Sequence, residues 1–274
     1  MPVSAPLPRP TAGLPVSEPA RLPHLHDHAA PLPLALRGTV MLLGNFDGLH
    51  RGHQALLDRA RAIARAEARP LSIMACEPHP KRFFAPHLAP FRLSCGAARY
   101  AALAEAGLTM IWSPKFDAGF AGLAPRDFIE TFLMRELGVA HIVVGEDFRF
   151  GARRGGDVAL LAAEAERCGY YLDVVCDVTH DGQRVSSSAV RAAIGAGDMA
   201  QAAALLGRPW QAPVSCRGIG RYGVADEQLL PPPGHYTAQA LCHRGRRLET
   251  LEIELTTARQ ILAPLPAEAA SLGF

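Results

Sequence analysis

The stretch Gly44-Asn45-Phe46-Asp47-Gly48-Leu49-His50-Arg51-Gly52-His53 decides the fold. An apolar run at 39–44 leads into it and has the length of a short buried strand. Residues 53–67 follow, with Ala, Leu, Arg and Glu at helical spacing. A strand that turns through glycines into a helix is the first half of a βαβ unit. In an open parallel sheet, ligands bind outside the carboxyl ends of the strands, which is where this decapeptide stands. Gly44, Gly48 and Gly52 permit tight turning and close backbone approach. The first turn of the helix offers free N–H groups and a partial positive charge, which suit phosphate. His50 and His53 lie three apart and share one side of that turn. Two imidazoles there can grip phosphate oxygens, as donors or as cations. The spacing is neither that of a Walker loop nor that of a Gly-x-Gly-x-x-Gly dinucleotide turn.

Outward from this stretch, strands are expected at 71–76, 109–112, 141–145 and 171–176. Helices are expected at 97–106, 125–137, 158–168, 187–195 and 198–206. The alternation predicts an α/β fold with a five-stranded parallel sheet covered on both faces. Residues 213–274 read differently. Glycines and Pro231–Pro233 punctuate them, and apolar residues partly alternate with polar ones at 236–242 and 247–256. That is antiparallel β, and so short a unit is expected to pack on the first one. Residues 1–33 carry nine prolines and no period, so an extended leader is expected. Its His24, His26 and His28 alternate, so an extended chain would place them on one side, as a metal could exploit. With Asp27 the only nearby carboxylate, a solvated histidine tract is the expectation. The domains are thus expected at 1–34, 35–211 and 212–274.

Composition narrows the function. The chain has 274 residues, 49% hydrophobic and 20% charged, so it can build a core. Its 28 basic and 26 acidic residues nearly balance, which argues against nucleic acid or anionic lipid as a partner. There is no apolar run long enough to span a membrane and no signal-peptide pattern, so a cytoplasmic protein is expected. Six cysteines without a Cys-x-x-Cys pair read as reduced thiols.

Further segments accompany the decapeptide in order. They are Glu77-Pro78-His79-Pro80 with Phe83-Phe84, Phe91-Arg92-Leu93, and Val143-Val144-Gly145-Glu146-Asp147-Phe148-Arg149-Phe150-Gly151 with Gly156-Asp157. Then come Val185-Ser186-Ser187-Ser188-Ala189-Val190-Arg191 and the run from Gly197-Asp198 to Leu206-Gly207-Arg208-Pro209. Over 38–211 the chain resembles the His-x-Gly-His nucleotidylyltransferases, and among them the FMN adenylyltransferase half of bacterial FAD synthetase. The resemblance implies a Rossmann-like nucleotidylyltransferase fold, ATP and FMN as substrates, FAD as product, and magnesium brought with ATP. It implies that His50, His53, Ser187 and Arg191 carry the catalysis. Nucleotide binding falls to Gly44, Asn45, Phe46, Asp47, Gly48, Gly52, Ser186 and Ser188. Pro78, His79, Pro80, Asp147, Phe148, Arg149 and Phe150 are its candidates for the flavin. No dedicated metal site is expected, with Asp47 a candidate for a water-mediated contact. Serines at a helix start cap it and add an anion site, and Arg191, one turn on from Ser188, can present its fork to the same phosphate.

The chain departs from the family mildly at Ser188, Ala189, Cys76 and Arg99, and more deeply after 212. The kinase half of the family carries Pro-Thr-Ala-Asn after a glycine-rich loop. Here Gly218-Ile219-Gly220-Arg221-Tyr222-Gly223-Val224-Ala225-Asp226 stands in its place and no Pro-Thr-Ala-Asn occurs. A degenerate, truncated barrel without riboflavin kinase activity is expected. The alternatives are transfer to another phosphate acceptor, or a non-catalytic flavin- or nucleotide-binding regulator.

Overall fold

The computed structural model describes residues 22–242 and 245–274. Six parallel strands form the first sheet: β1 (His24–His26), β2 (Val40–Leu42), β3 (Leu71–Met74), β4 (Met110–Trp112), β5 (His141–Gly145) and β6 (Tyr171–Val175). Their order is β1-β4-β3-β2-β5-β6. The inner strands are mostly apolar, Ser72 and His141 being the exceptions, because both faces are covered. Val40, Leu42, Ile73 and Val143 pack on Leu57, Ala60 and Ile63 of the helix Arg51–Ala66. Met41, Ile142 and Val144 face the other way, onto Ile129, Leu133 and Leu161. The helix expected at 125–137 opens with Pro125–Asp127 and then widens into a π-helix over Phe128–Glu136, where Leu137 N donates to Phe132 O.

The sheet has one strand more than sequence reading counted. β1 comes from the expected leader and pairs along the edge with β4, His24 opposite Met110 and His26 opposite Trp112. Nor is the histidine tract solvated throughout, since His26 is buried. Its Nε2 donates to Glu136 Oε1 at 2.8 Å, and His28 Nδ1 meets the same oxygen at 2.6 Å. The three side chains lie close enough to share a metal ion. However, Trp112 Nε1 donates to His28 Nε2 at 3.1 Å, which leaves the ring proton on Nδ1. With that proton on Glu136, the cluster is a hydrogen-bonded tether for the edge strand, and His28 has no lone pair facing the group. Residues 1–21 of the expected leader lie outside the described residues.

The C-terminal part forms a seven-stranded sheet, with antiparallel pairing throughout. Its long hairpin is Gly234–Cys242 against Arg247–Leu255. Ala238, Ala240, Ile253, Leu255 and Leu272 share one core with Val190, Ile194, Leu205 and Leu206 of the helices Ser187–Gly195 and Met199–Leu206. The small sheet therefore buries its apolar face on the first unit, as its size requires.

Candidate functional site

From β2 the chain runs to β3 on one side, while β5 lies on the other, so the strand order reverses at β2. A cleft of about 990 Å³ opens at the carboxyl ends there, where doubly wound sheets bind ligands. Gly44, Asn45, Phe46, His50, Gly52 and His53 line it from the β2 side, and Asp147, Phe148, Arg149 and Phe150 from the β5 side. His79 and Pro80 close one flank, and Ser186, Ser187, Ser188 and Arg191 the other. Of the residues singled out from sequence, Asp47, Gly48 and Pro78 do not line the cleft. Gly48 has φ +88°, and a Cβ there would stand 2.8 Å from Leu93 Cδ1, so the turn needs glycine.

His50 caps the helix Arg51–Ala66, its Nδ1 accepting from His53 N at 3.3 Å. That bond places the ring proton of His50 on Nε2. The two imidazoles stack with centroids 3.7 Å apart, and Phe46 packs on His53 at 4.8 Å. His53 Nδ1 is buried without a protein partner. Burial first, and then Arg191, pushes His50 down to about 4. Burial and then His50 hold His53 well below its usual range. Burial and then Arg92 bring His79 to about 3. At pH 7 both rings of the His50–His53 pair are therefore neutral.

These shifts predict acid sensitivity of the fold. Unfolded histidines take up protons near pH 6.5, whereas His50 takes one up only at about 4, His79 at about 3, and His53 well below its usual range. Stability is thus unaffected by them above pH 6.5 and falls as the pH drops from there toward 4. Denaturant unfolding at pH 7, 6 and 5 should give a declining free energy, with up to about three protons taken up per molecule unfolded. His79→Gln should flatten the decline. A flat profile in the unsubstituted chain would contradict the burial of these rings.

The structure corrects the expectation for Asp47. Its carboxylate is 1% exposed. It accepts from Leu93 N at 3.1 and 3.0 Å, from Ser94 N at 3.1 Å and from Arg191 Nη2 at 2.7 Å. No lone pair is left for water on a metal ion, so Asp47 is an internal anchor. The fork of Arg191 is likewise turned inward. Nη2 holds Asp47 and Nε donates to Phe91 O at 2.8 Å, with the guanidinium 5.6 Å from the Phe91 ring centre. Nη1 is the guanidinium nitrogen that makes no hydrogen bond among the described residues. Ser186 Oγ accepts from Ala189 N at 3.1 Å as the helix cap, and Ser187 Oγ donates to Asp47 O at 3.1 Å. Ser188 is exposed in the cleft.

Part of the cleft lining is aromatic. Phe148 and Phe150 stack at 5.6 Å, and Phe84, Phe116 and Phe120 add a wall that sequence reading did not assign. Phe83-Phe84 was visible as a motif, but only tertiary contact gathers it with Phe116. Arg184 was also missed. It bridges Asp147 at 2.6 Å and Asp177 at 2.8 Å across the mouth. Arg149 pairs with Asp157 at 2.9 Å.

A family model described as FAD synthetase matches residues 33–189. The chain is similar to a protein of Escherichia coli strain K12 named bifunctional riboflavin kinase/FMN adenylyltransferase, 39% identical over 173 residues, or 63% of this chain and 55% of that protein. A protein of the same name from Pseudomonas fluorescens is 41% identical over 176 residues, covering 64% and 56%. The one from Bacillus subtilis strain 168 is 29% identical over 215 residues, covering 74% and 67%. The chain thus spans about half the length of the first two. A crystal structure of a macrolide-efflux protein from Streptococcus pneumoniae superposes with TM-score 0.72 at 22% identity, covering 86% of this chain and 82% of that one. That likeness concerns the fold alone, and its reach extends into the C-terminal strands. With its strand–glycine–histidine turn, serine-capped helix and intervening loops matched through residue 189, this chain belongs to the FAD synthetase family.

Proposed function

We propose that this chain transfers AMP from ATP to FMN, giving FAD and pyrophosphate. The observation that carries the reading is one cleft lined by two chemically distinct sets of side chains. The stacked His50 and His53, the Ser186–Ser188 helix start and Arg191 form one set, and Phe84, Phe116, Phe120 and Phe148 form the other. The first suits phosphates and the second a flat ring system. The names of the relatives support the same substrates.

FMN's phosphate is largely ionised near neutral pH and needs no base to become a nucleophile. One of its oxygens bonds to the α-phosphorus of ATP as the bond from that phosphorus to the pyrophosphate oxygen breaks. Pyrophosphate leaves with the electron pair, and no proton has to move. Catalysis is then alignment plus stabilisation of charge on the equatorial oxygens. Asn45 and the backbone that begins at Gly44 orient the α-phosphate, and His50, His53, the backbone N–H of Ser187 at the helix start and Arg191 meet the developing charge. Magnesium would come with ATP and would neutralise charge on its phosphates. Among the described residues of this region Asp47 is saturated, and Asp147 and Asp177 pair with Arg184. The residues Pro78, His79, Pro80, Asp147, Phe148, Arg149 and Phe150 belong to the flavin side of this reading, with Pro78 acting through the loop that presents His79. The transferase unit, which takes in the edge strand His24–His26 together with residues 35–211, and the β unit at 212–274 are the divisions this reading uses. Incubation with FMN, ATP and magnesium, followed by chromatography for FAD, tests it.

The β unit is not a kinase in this reading. Phosphorylating riboflavin requires magnesium and the γ-phosphate placed beside the acceptor hydroxyl, and the Pro-Thr-Ala-Asn segment that would serve them is missing. Riboflavin, ATP and magnesium should yield no FMN above a protein-free control. Clear FMN formation would overturn this half of the reading.

A further inference from the structure

The segment Phe91–Ser94 joins two parts of the molecule. On one side it holds the transferase end of the cleft. Leu93 N and Ser94 N donate to Asp47, Phe91 O accepts from Arg191 Nε, and the Phe91 ring supports the Arg191 guanidinium. On the other side it is gripped by residues of the C-terminal part, chiefly the loop that leads into its long hairpin. Phe91 N and Arg92 N donate to Glu227 O at 3.1 and 2.9 Å, and Leu229 N donates to Arg92 O at 2.9 Å. The wholly buried Gln228 donates its amide Nε2 to Arg92 O and Leu93 O, both at 3.2 Å. Trp210 Nε1 adds a bond to Leu93 O at 3.0 Å. Gln228 Oε1 is buried without a partner. A buried orphan acceptor is costly, so an apolar side chain of this size would serve packing better. What the amide supplies is its two N–H groups.

We infer that the C-terminal sheet is a clamp for the adenylyl-transfer site, and that Gln228 is a positioning residue for Arg191. The inference rests on the function proposed above. The chain of contact runs from Gln228 through the carbonyls of Arg92 and Leu93 to Asp47 and Phe91, which together fix two of the three guanidinium nitrogens of Arg191. Released from Gln228, the segment drifts, and Arg191 loses its aim at the α-phosphate. Misplacement of a positioning group by about 1 Å can cost on the order of 10²-fold in rate. The sheet thus has work in this chain that needs no kinase chemistry.

Gln228→Met keeps length and volume but removes both N–H groups. Three quantities decide, all measured on the full chain: FAD turnover per FMN-binding site, the FMN dissociation constant, and hydrogen exchange at the Leu93 and Ser94 amides. The expected result is turnover lower by about tenfold or more, FMN affinity within about twofold, and faster exchange at both amides. Counting FMN-binding sites separates this from partial unfolding. A loss of turnover that merely follows a loss of sites would refute the inference, as would unchanged turnover with unchanged exchange. If Gln228→Met does not fold, Trp210→Phe is measured in the same way, since it keeps a ring in place and removes only the N–H to Leu93. If the unsubstituted chain forms no FAD, the proposed function fails and this inference with it. If it forms FAD and the variants turn over equally well, only the clamp is refuted.

Discussion

His53→Ala should lower FAD turnover by about 10²–10³-fold while FMN binds nearly as before. His53 lines the cleft, stacked on His50 and backed by Phe46. Removing this imidazole leaves in place the phenylalanines proposed to meet the flavin. The helix cap survives as well, because it is the backbone N–H of residue 53 that donates to His50 Nδ1. The ring is neutral, held there by burial and by His50. A neutral donor aimed at a fixed point gains most when charge appears on the α-phosphate in the transition state. Steady-state kinetics at saturating FMN and ATP, with fluorescence titration of FMN, separate the two effects. Near-normal turnover in the variant would remove His53 from the reaction.

Arg191→Lys should cost about as much, despite the retained charge. The guanidinium makes two inward contacts at once, to Asp47 and to Phe91 O, while its third nitrogen stays available. A lysine has one nitrogen and cannot hold both partners and a phosphate in a fixed geometry. Paired with Asp47 it would leave the substrate, and turned to the substrate it would leave a carboxylate buried without its cation. Turnover with varied ATP measures this. An unchanged rate and ATP dependence would make Arg191 a structural residue only. Arg191→Lys should also melt at a lower temperature, because Asp47 is the buried anchor of Leu93 and Ser94.

The inner strands of the parallel sheet were legible because burial on both faces writes largely apolar runs at 40–42, 71–74 and 141–145. β1 was not. His-Leu-His between prolines carries no apolar period, and its pairing with Met110–Trp112 depends on an edge that only the assembled sheet presents. The site was legible where chemistry sits in contiguous motifs, as at 44–53 and 185–191. It was opaque where a residue's role is set by partners far along the chain. Nothing local marks Asp47 as an internal anchor, because its donors lie about 45 and 145 positions away. The inward turn of Arg191 follows from the same contacts. Gln228 is a single amide in a proline-flanked loop, without periodicity or motif, and only its fit against the carbonyls of Arg92 and Leu93 gives it meaning.

The central claim is that one cleft brings FMN's phosphate to the α-phosphorus of ATP. Its most direct measurement uses ATP labelled at the α-phosphate, incubated with FMN, magnesium and the full chain, with products separated by chromatography. The account predicts label in FAD in equal amount to the pyrophosphate released, and none of it in free phosphate. FMN and ATP that both bind while the label remains in ATP, or passes to some other acceptor, would contradict it.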